Sequence, residues 1–267
     1  MGITNVLIIQ FSTRYPDWEK VAFNSDESLR TEWFKFRANL FNKGLAQCLK
    51  HQTKQVSKIY IVLDKNDVAL YEAHLQDDAY LPIYFDPTKL WFADQIKNDL
   101  IVNGITEDYL VSRIDSDDLI HKDYFKNITA QIENNPTRLM TACTGYRSNL
   151  SQMQGVHYDN SPFMSQFFPT VSRSNSFVET LQLRTNTAII IYNFSHSKLH
   201  QMPHKKNVDA EWMQLIHGTN VCNNFAGSFA SHDMFFSEMY PMDPVWFKEW
   251  AGFDLPSPTI LHQTFKR

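Results

Sequence analysis

The sequence predicts an α/β fold: a single domain whose central, mostly parallel sheet is flanked by helices. Short continuous apolar runs, which suit strands buried on both faces, alternate with longer segments whose apolar residues recur every three or four positions. The chain has 267 residues and no internal repeat, so it is long enough for one large core. We therefore expect one domain over residues 1–267, with a regular half at 1–136 and a looser half at 137–267.

The first half contains the clearest pattern. Its predicted strands are NVLIIQF from Asn5, KIYIVLD from Lys58, YLPIYFD from Tyr80 and DYLVSRIDSDD from Asp108. The segments SDESLRTEWFKFRANLFNKGLAQCLKH, TKLWFADQIKNDLIVNG and KDYFKNITAQIENNP are predicted helices, the first capped by Ser25 or Asp26 and the second closed by Gly104. Strands that alternate with helices favour a parallel sheet with helices on both faces.

The second half is less regular. RLMTACTG and TNTAIIIY are predicted strands, and the polar, aromatic-dotted stretch between them, Tyr146 to Thr185, is predicted to be a long loop. VDAEWMQLIHG is predicted to be a short helix that ends at Gly218. The tail, rich in Trp, Phe and Pro, is expected to pack over the core, and the sequence leaves open whether it touches a membrane surface.

Composition narrows the class of protein. A net charge of −4 without a basic run argues against nucleic-acid binding. Eight glycines without a G-x-G-x-x-G or G-x-x-x-x-G-K motif argue against a glycine-rich phosphate cradle. The three cysteines, distant from one another, indicate reduced thiols. We see neither a signal peptide nor a membrane span, so we expect a cytoplasmic protein.

Three carboxylates, Asp115, Asp117 and Asp118, stand where a buried strand is predicted to end. Like charges this close resist ionising together unless a cation compensates them. Asp115 and Asp117 would lie on one face of the strand, because side chains two residues apart point the same way. Ligands bind at the carboxyl ends of strands in open α/β sheets, and hard oxygen donors suit Mg²⁺ or Mn²⁺ with phosphate oxygens.

The simpler interpretation is a helix cap. Asp and Ser are favoured at N-caps, and acids suit a helix N-terminus, so the cluster could cap the helix that follows. Asp118 could do so even if the other two acids bind metal. One acid is enough for a cap, however, and three are more than that role requires, so metal binding is the leading hypothesis.

A family resemblance supports it. A strand–helix–strand half followed by RIDSDD at a strand end resembles the D-x-D site of GT-A-fold nucleotide-sugar glycosyltransferases. The segment WMQLIHGTNV from Trp212, with its W-x-Q-x-x-H-G-x-N pattern, is similar to a segment of the bacterial family called putative rhamnosyltransferases. The early helix carrying Trp33, Arg37 and Phe41 resembles that family too.

The resemblance implies roles for particular residues. Asp115 would contact the ribose or the metal, and Asp117 would bind the metal directly. Asp64 would meet the nucleoside at the end of the second strand. Arg113 would pair with phosphate, although it could equally serve as a partner for the nearby acids. Two residues that follow the first strand would lie near the base and the diphosphate: Phe11 and Arg14.

The resemblance also implies a general base before a late helix, which would deprotonate the acceptor hydroxyl in an inverting transfer. Glu211 is preferred and Asp209 is the alternative, although both acids could simply favour a helix N-terminus. His217 would be a further metal ligand, or a histidine that interacts with the last carbonyls of the helix. Asn220 and His232 are weaker candidates of the same kind.

Two other patterns have a plainer interpretation. His196, His200 and His204 have a zinc-like spacing, but Pro203 would break their helix, so we expect exposed histidines. The three late tryptophans could stack on an acceptor sugar, although such residues more often pack in a core. They are Trp212, Trp246 and Trp250.

Together these observations predict a metal-dependent glycosyltransferase of polysaccharide biosynthesis. It would use Mn²⁺ or Mg²⁺ and a nucleotide-diphosphate sugar, with a deoxyhexose such as rhamnose implied by the resemblance, and a glycan or lipid-linked hydroxyl as acceptor. The alternatives are a nucleotidyltransferase or metal-dependent phosphohydrolase, and a non-catalytic carbohydrate-binding protein.

Overall fold

The structure is a computed structural model of the chain. It describes residues 3–13, 26–75, 77–86, 92–103, 108–134, 139–158, 164–168, 205–217 and 234–261. The helices are α1 (Glu27–Lys43), α2 (Leu45–Lys50), α3 (Val68–His74), α4 (Phe92–Asn103), α5 (Tyr124–Asn134) and α6 (Pro244–Ala251). The strands are β1 (Ile3–Ser12), β2 (Lys58–Asp64), β3 (Tyr80–Phe85), β4 (Asp108–Asp115), β5 (Asp118–Ile120), β6 (Leu139–Ala142), β7 (Thr144–Ser148), β8 (Gln152–Tyr158), β9 (Met164–Phe168), β10 (Lys205–Val208), β11 (Trp212–Leu215) and β12 (Met234–Pro241).

The main sheet, within the described residues, has the strand order β10-β6-β9-β4-β1-β2-β3. β1 pairs in parallel with both β2 and β4, and β2 pairs in parallel with β3. β9 is antiparallel to both of its neighbours. The predicted fold class, an α/β fold whose sheet is mostly parallel and flanked by helices, is therefore confirmed. The parallel register places the ends of β1 and β4 side by side, with Gln10 opposite Asp115.

A smaller second sheet has the order β12-β8-β7-β11-β5. Its strand β5 follows β4 after a two-residue turn, so the two sheets meet at the end of β4. β11 runs antiparallel to β5, with Gln214 opposite Asp118. This pairing carries the segment after β11 back to the turn between β4 and β5.

Helix α1 begins where the sequence indicates. The carboxylate of Asp26 accepts hydrogen bonds from the backbone amides of Ser28 and Leu29, at 2.8 and 3.4 Å, which makes Asp26 the N-cap. The helix ends at Gly44, where a Cβ would lie 2.8 Å from Leu119 Cδ2. A side chain at this position would collide with β5, so glycine lets α1 and α2 approach the second sheet.

Two predictions for the second half are wrong. The segment predicted as a helix before Gly218 contains strand β11, and the predicted loop after Tyr146 contains strands β7, β8 and β9. β11 is extended because β5 and β7 hydrogen-bond to it on both sides. The Trp212 ring also packs on Gly145, where a Cβ would lie 2.3 Å from Trp212 Cδ2. The predicted strand TNTAIIIY lies outside the described residues.

In the part of the chain that the structure describes, the helices are either too short or too polar to cross a membrane.

Candidate functional site

The turn between β4 and β5 forms the centre of the candidate site. Asp115 ends β4, Ser116 and Asp117 form the turn, and Asp118 begins β5. The turn lies at the carboxyl end of a central parallel strand, where ligands bind in open α/β sheets. The three acids occupy different environments, which determines their charges.

Asp117 is held between two basic side chains. Its Oδ2 atom accepts a hydrogen bond from Arg37 Nη1 at 2.5 Å and lies 2.9 Å from His217 Nε2. Burial alone would raise the pKa of Asp117, but the charge of Arg37 and the hydrogen bond to His217 outweigh burial and lower the pKa to about 2. Asp117 is therefore ionised at neutral pH, and the fold brings the predicted metal ligands Asp117 and His217 together.

Asp118 has the opposite character. It lies in β5, buried, so the interpretation of Asp118 as a helix cap is wrong, since α5 begins at Tyr124. Burial, then the charges of Asp117 and Asp115, raise the pKa of Asp118 well above its ordinary value. The fold thus disfavours a negative charge on Asp118 relative to an exposed carboxyl group.

Asp115 is the accessible acid of the group. Its side chain is 40% exposed, and its Oδ1 atom lies 3.7 Å from Arg113 Nη2. Arg113 therefore has the partner that the simpler interpretation gave it. Asp115 stands at the carboxyl end of β4, where its exposed side chain is accessible to a ligand from solvent.

The side chains around Asp117 carry the kinds of donor atom that bind a divalent cation. Carboxylates suit Mg²⁺ and Mn²⁺, and an imidazole and a carboxylate oxygen meet at one point beside Asp117. The guanidinium of Arg37 already stands there as a positive charge. Within the described residues, however, the geometry forms no group of three or more acidic, histidine or cysteine side chains that could hold a metal. Asp117 and His217 would supply two ligands to a cation, and its remaining ligands would come from elsewhere.

The β1 and β2 side of the site is less open than the sequence suggested. Phe11 is buried and packs against the rings of Phe34 and Phe41, at centroid distances of 5.1 and 5.9 Å. Asp64 is buried as well and caps the turn after β2, where it accepts a hydrogen bond from the Asn66 amide at 2.9 Å. Their side chains stabilise the fold here, while Arg14 lies outside the described residues.

Helix α1 contributes a residue that the sequence did not single out for function. Arg37 was noted only for its place in the family resemblance, yet it binds Asp117 and donates to Ser116 Oγ at 2.9 Å. Trp33, one turn earlier, supports it, with the Arg37 guanidinium carbon 5.5 Å from the ring centroid. The sequence signal for Arg37 was its spacing from Arg30 and Trp33, which places all three residues on one helix face.

Arg30 shows how firmly this face is fixed. It forms a 2.7 Å ion pair with Asp67 and donates to the backbone oxygen of Ser12 at 3.0 Å, with both charged side chains buried. Its guanidinium carbon lies 5.4 Å from the Trp33 ring, on which Arg37 also packs. Helix α1 is thus tied to the ends of β1 and β4 by two arginines.

Glu211 lies apart from this group. Its backbone oxygen accepts from the His121 amide at 3.1 Å, which places it beside the residue that follows β5, four residues along the chain from Asp117. Its Oε2 atom accepts from Trp250 Nε1 at 2.6 Å. Asp209 is exposed. The structure therefore does not bring either candidate base together with Asp117 and His217.

Aromatic rings surround Glu211. Trp246 stacks on Trp250 at 5.8 Å, and Tyr146 contacts Trp246 edge-on at 5.1 Å. Burial, followed by the nearby charge of Glu211, raises the pKa of Tyr146 to about 12. Trp212 belongs to the core instead, where its Nε1 atom donates to the Ala142 carbonyl at 2.7 Å. Trp246 and Trp250, but not Trp212, thus lie beside a carboxylate.

Several weaker candidates lie outside the described residues. These are Asn220, His232 and the histidines His196, His200 and His204.

The site and sheet define an α/β protein with an acid-and-arginine centre at the carboxyl end of its strands, and comparison with known families agrees. Residues 17–228 match the family described as "Putative rhamnosyl transferase", and the chain belongs to this family. The predicted family resemblance is confirmed. No curated protein matches the chain significantly.

Solved structures show weaker similarity. TarS of S. aureus is 16% identical with a TM-score of 0.30; the match covers 54% of this chain and 22% of TarS. Rv0371c of Mycobacterium tuberculosis H37Rv is 9% identical with a TM-score of 0.37, covering 82% of this chain and 90% of the other. A 4-diphosphocytidyl-2C-methyl-D-erythritol synthase of Anaerococcus prevotii is 13% identical with a TM-score of 0.35 and the same coverages.

Proposed function

We propose that this protein is a metal-dependent glycosyltransferase. It transfers a sugar from a nucleotide-diphosphate donor to a hydroxyl group of a glycan or lipid-linked acceptor. Membership of the rhamnosyl transferase family supports glycosyl transfer and favours rhamnose or another deoxyhexose, carried for example as dTDP-rhamnose. The observation that carries the proposal is the pair Asp115 and Asp117 at the carboxyl end of a central parallel strand, with His217 brought beside it.

The donor diphosphate is proposed to bind over the turn from Asp115 to Asp117. Mn²⁺ or Mg²⁺, when bound there, would neutralise charge on the diphosphate; Asp117 and His217 would be its protein ligands, and Asp115 would contact the ribose. Arg113, beside Asp115 and partly buried, supplies a guanidinium for a phosphate oxygen. The pKa of Asp118, next to this site, is raised by burial and by the charges of Asp117 and Asp115.

The proposed transfer is a substitution at the anomeric carbon. The bond from this carbon to the diphosphate oxygen breaks, and its electron pair leaves with the diphosphate. The acceptor hydroxyl oxygen forms the new bond on the opposite face of the anomeric carbon, which inverts the configuration of this carbon. The hydroxyl proton goes to a base. Glu211 is the proposed base and Asp209 the alternative. The rings of Trp246 and Trp250 next to Glu211 support an acceptor sugar on this side.

Product analysis tests the proposal. Purified protein is incubated with dTDP-rhamnose and with UDP- and GDP-sugars, together with Mn²⁺ and a glycan acceptor, and the released nucleotide is identified. Release of nucleoside diphosphate that depends on acceptor is the expected result. Release of monophosphate or pyrophosphate would instead favour a phosphohydrolase or nucleotidyltransferase. Sugar binding without any turnover would favour a binding protein.

Variants sharpen the same assay. Asp117→Asn should abolish donor binding and turnover, while Glu211→Gln should abolish turnover but keep donor binding. Glu133→Gln is the matched control, because Glu133 is exposed on α5.

A further inference from the structure

Arg37 occupies the position that a cation would take beside Asp117. Its Nη1 atom contacts Asp117 Oδ2 at 2.5 Å, and its Nη2 atom donates to Ser116 Oγ at 2.9 Å. The same carboxylate oxygen lies 2.9 Å from His217 Nε2. The carboxylate proposed to hold a metal therefore already has a positive partner that belongs to the protein.

This position is accessible rather than locked. The Arg37 side chain is 15% exposed, whereas that of Arg30 on the same helix face is 1% exposed. Arg30 is tied to Asp67 and to a backbone carbonyl, whereas Arg37 donates to Asp117 and Ser116 at the site and packs on the Trp33 ring. Arg37 can thus exchange its partner while Arg30 holds the helix in place.

Charge balance requires such an exchange. Without a ligand, the guanidinium groups of Arg37 and Arg113 lie beside the carboxyl groups of Asp117 and Asp115. A divalent cation at Asp117 would add two positive charges next to a guanidinium, which is unfavourable in a partly buried site. A diphosphate that enters with the cation restores the balance and offers oxygen acceptors to the guanidinium, which is well suited to bidentate contact with phosphate.

We propose that Arg37 is a donor-binding residue that exchanges Asp117 for the diphosphate of the nucleotide sugar. In the free protein its guanidinium holds Asp117 and Ser116 in place of a metal. With metal and donor bound, Asp117 and His217 would hold the metal, and the guanidinium would contact the diphosphate. It then stabilises the negative charge that develops on the leaving diphosphate during transfer. This inference rests on the proposed function and deepens it.

Binding measurements on Arg37→Gln test the exchange, because it predicts effects of opposite sign. Calorimetry with MnCl₂ alone should show Mn²⁺ affinity that is about tenfold higher than in the wild type, since the competing charge is gone. Calorimetry with dTDP, UDP or GDP in saturating Mn²⁺ should show nucleotide affinity that is about tenfold lower or more, since a charge-assisted contact is lost. Lys35→Gln is the matched control, because it removes an exposed positive charge from the same helix.

Arg37→Lys provides a second variant that keeps the charge. It should retain Mn²⁺ affinity close to that of the wild type and lose part of the nucleotide affinity, because an ammonium does not form the bidentate contact. Circular dichroism verifies that each variant is folded.

The outcomes separate the inference from the proposed function. The exchange is refuted if the two Arg37 variants lower the affinities for metal and nucleotide alike, or if they leave the two affinities unchanged. Arg37 then only supports Asp117. If metal affinity rises but nucleotide affinity does not fall, contact with the diphosphate is refuted. If the wild type binds none of the three nucleotides with Mn²⁺, the proposed function itself fails.

Discussion

Removal of the Asp117 carboxylate should destabilise the protein strongly, even though it lies in a turn. Asp117→Ala leaves the Arg37 guanidinium without its 2.5 Å partner and the fully buried His217 side chain without its 2.9 Å contact. Removing one member of a buried ion pair costs about 3–5 kcal/mol, because the other charge is left unpaired. The side chains of Asp117 and Arg37 are 10% and 15% exposed, so we expect the lower end of this range, about 3 kcal/mol.

Urea unfolding at pH 7, followed by circular dichroism, measures this loss. Glu32→Ala is the control, because its ion pair with Lys35 is exposed on the same helix and should contribute about 0.5 kcal/mol or less. The double variant Asp117→Ala/Arg37→Met should recover part of the loss, since it removes the unpaired charge. An Asp117→Ala protein whose unfolding free energy lies within about 1 kcal/mol of the wild type would refute this account of the site.

The pH dependence of this contribution follows from the sign of the pKa shift. Asp117 is buried, which opposes ionisation, but Arg37 and His217 lower its folded pKa from 3.8 to about 2. Its stabilisation is therefore present above pH 3.8 and lost as pH falls towards 2. The stability difference between the wild type and Asp117→Ala should shrink over this acid window, as urea titrations at stepped pH would show.

Three further predictions address the rest of the chain. Asp118→Asn should gain stability relative to the wild type as pH rises from about 4 to 7. Burial and acidic neighbours raise the folded pKa of Asp118, so the wild type loses stability where only the unfolded state ionises. Thermal midpoints of the two proteins measured against pH would contradict this prediction if the two curves stayed parallel. Gly145→Ala should lose about 3 kcal/mol, since its Cβ would lie 2.3 Å from the Trp212 ring, and an unchanged urea midpoint would contradict the packing. Glu211→Gln should lower turnover about 100-fold or more with nucleotide affinity unchanged, and retained turnover in the release assay would exclude Glu211 as base.

The regular half of the fold was predictable from local pattern. The runs that became β1, β2 and β4 are short, apolar and bounded by polar residues, and their burial on both faces requires that composition, whereas β3, at the sheet edge, leaves Leu81 and Tyr84 exposed. The segment of β11 was mispredicted because its apolar spacing over a few residues is compatible with either a helix or a strand. Its extended form depends on β5 and β7, which lie far from it in sequence.

The sequence by itself determined that carboxylates stand at the end of a central strand, since the apolar run before Asp115 favours a buried strand and the acids follow it directly. Only the tertiary structure decided their charges. Asp117 ionises because Arg37, 80 residues earlier, and His217, 100 residues later, converge on one oxygen, while Asp118 lies in a buried strand, where burial raises its pKa. A carboxyl group responds to the charges and the solvent within a few ångströms, and contacts at that range between distant segments exist only once the chain has folded.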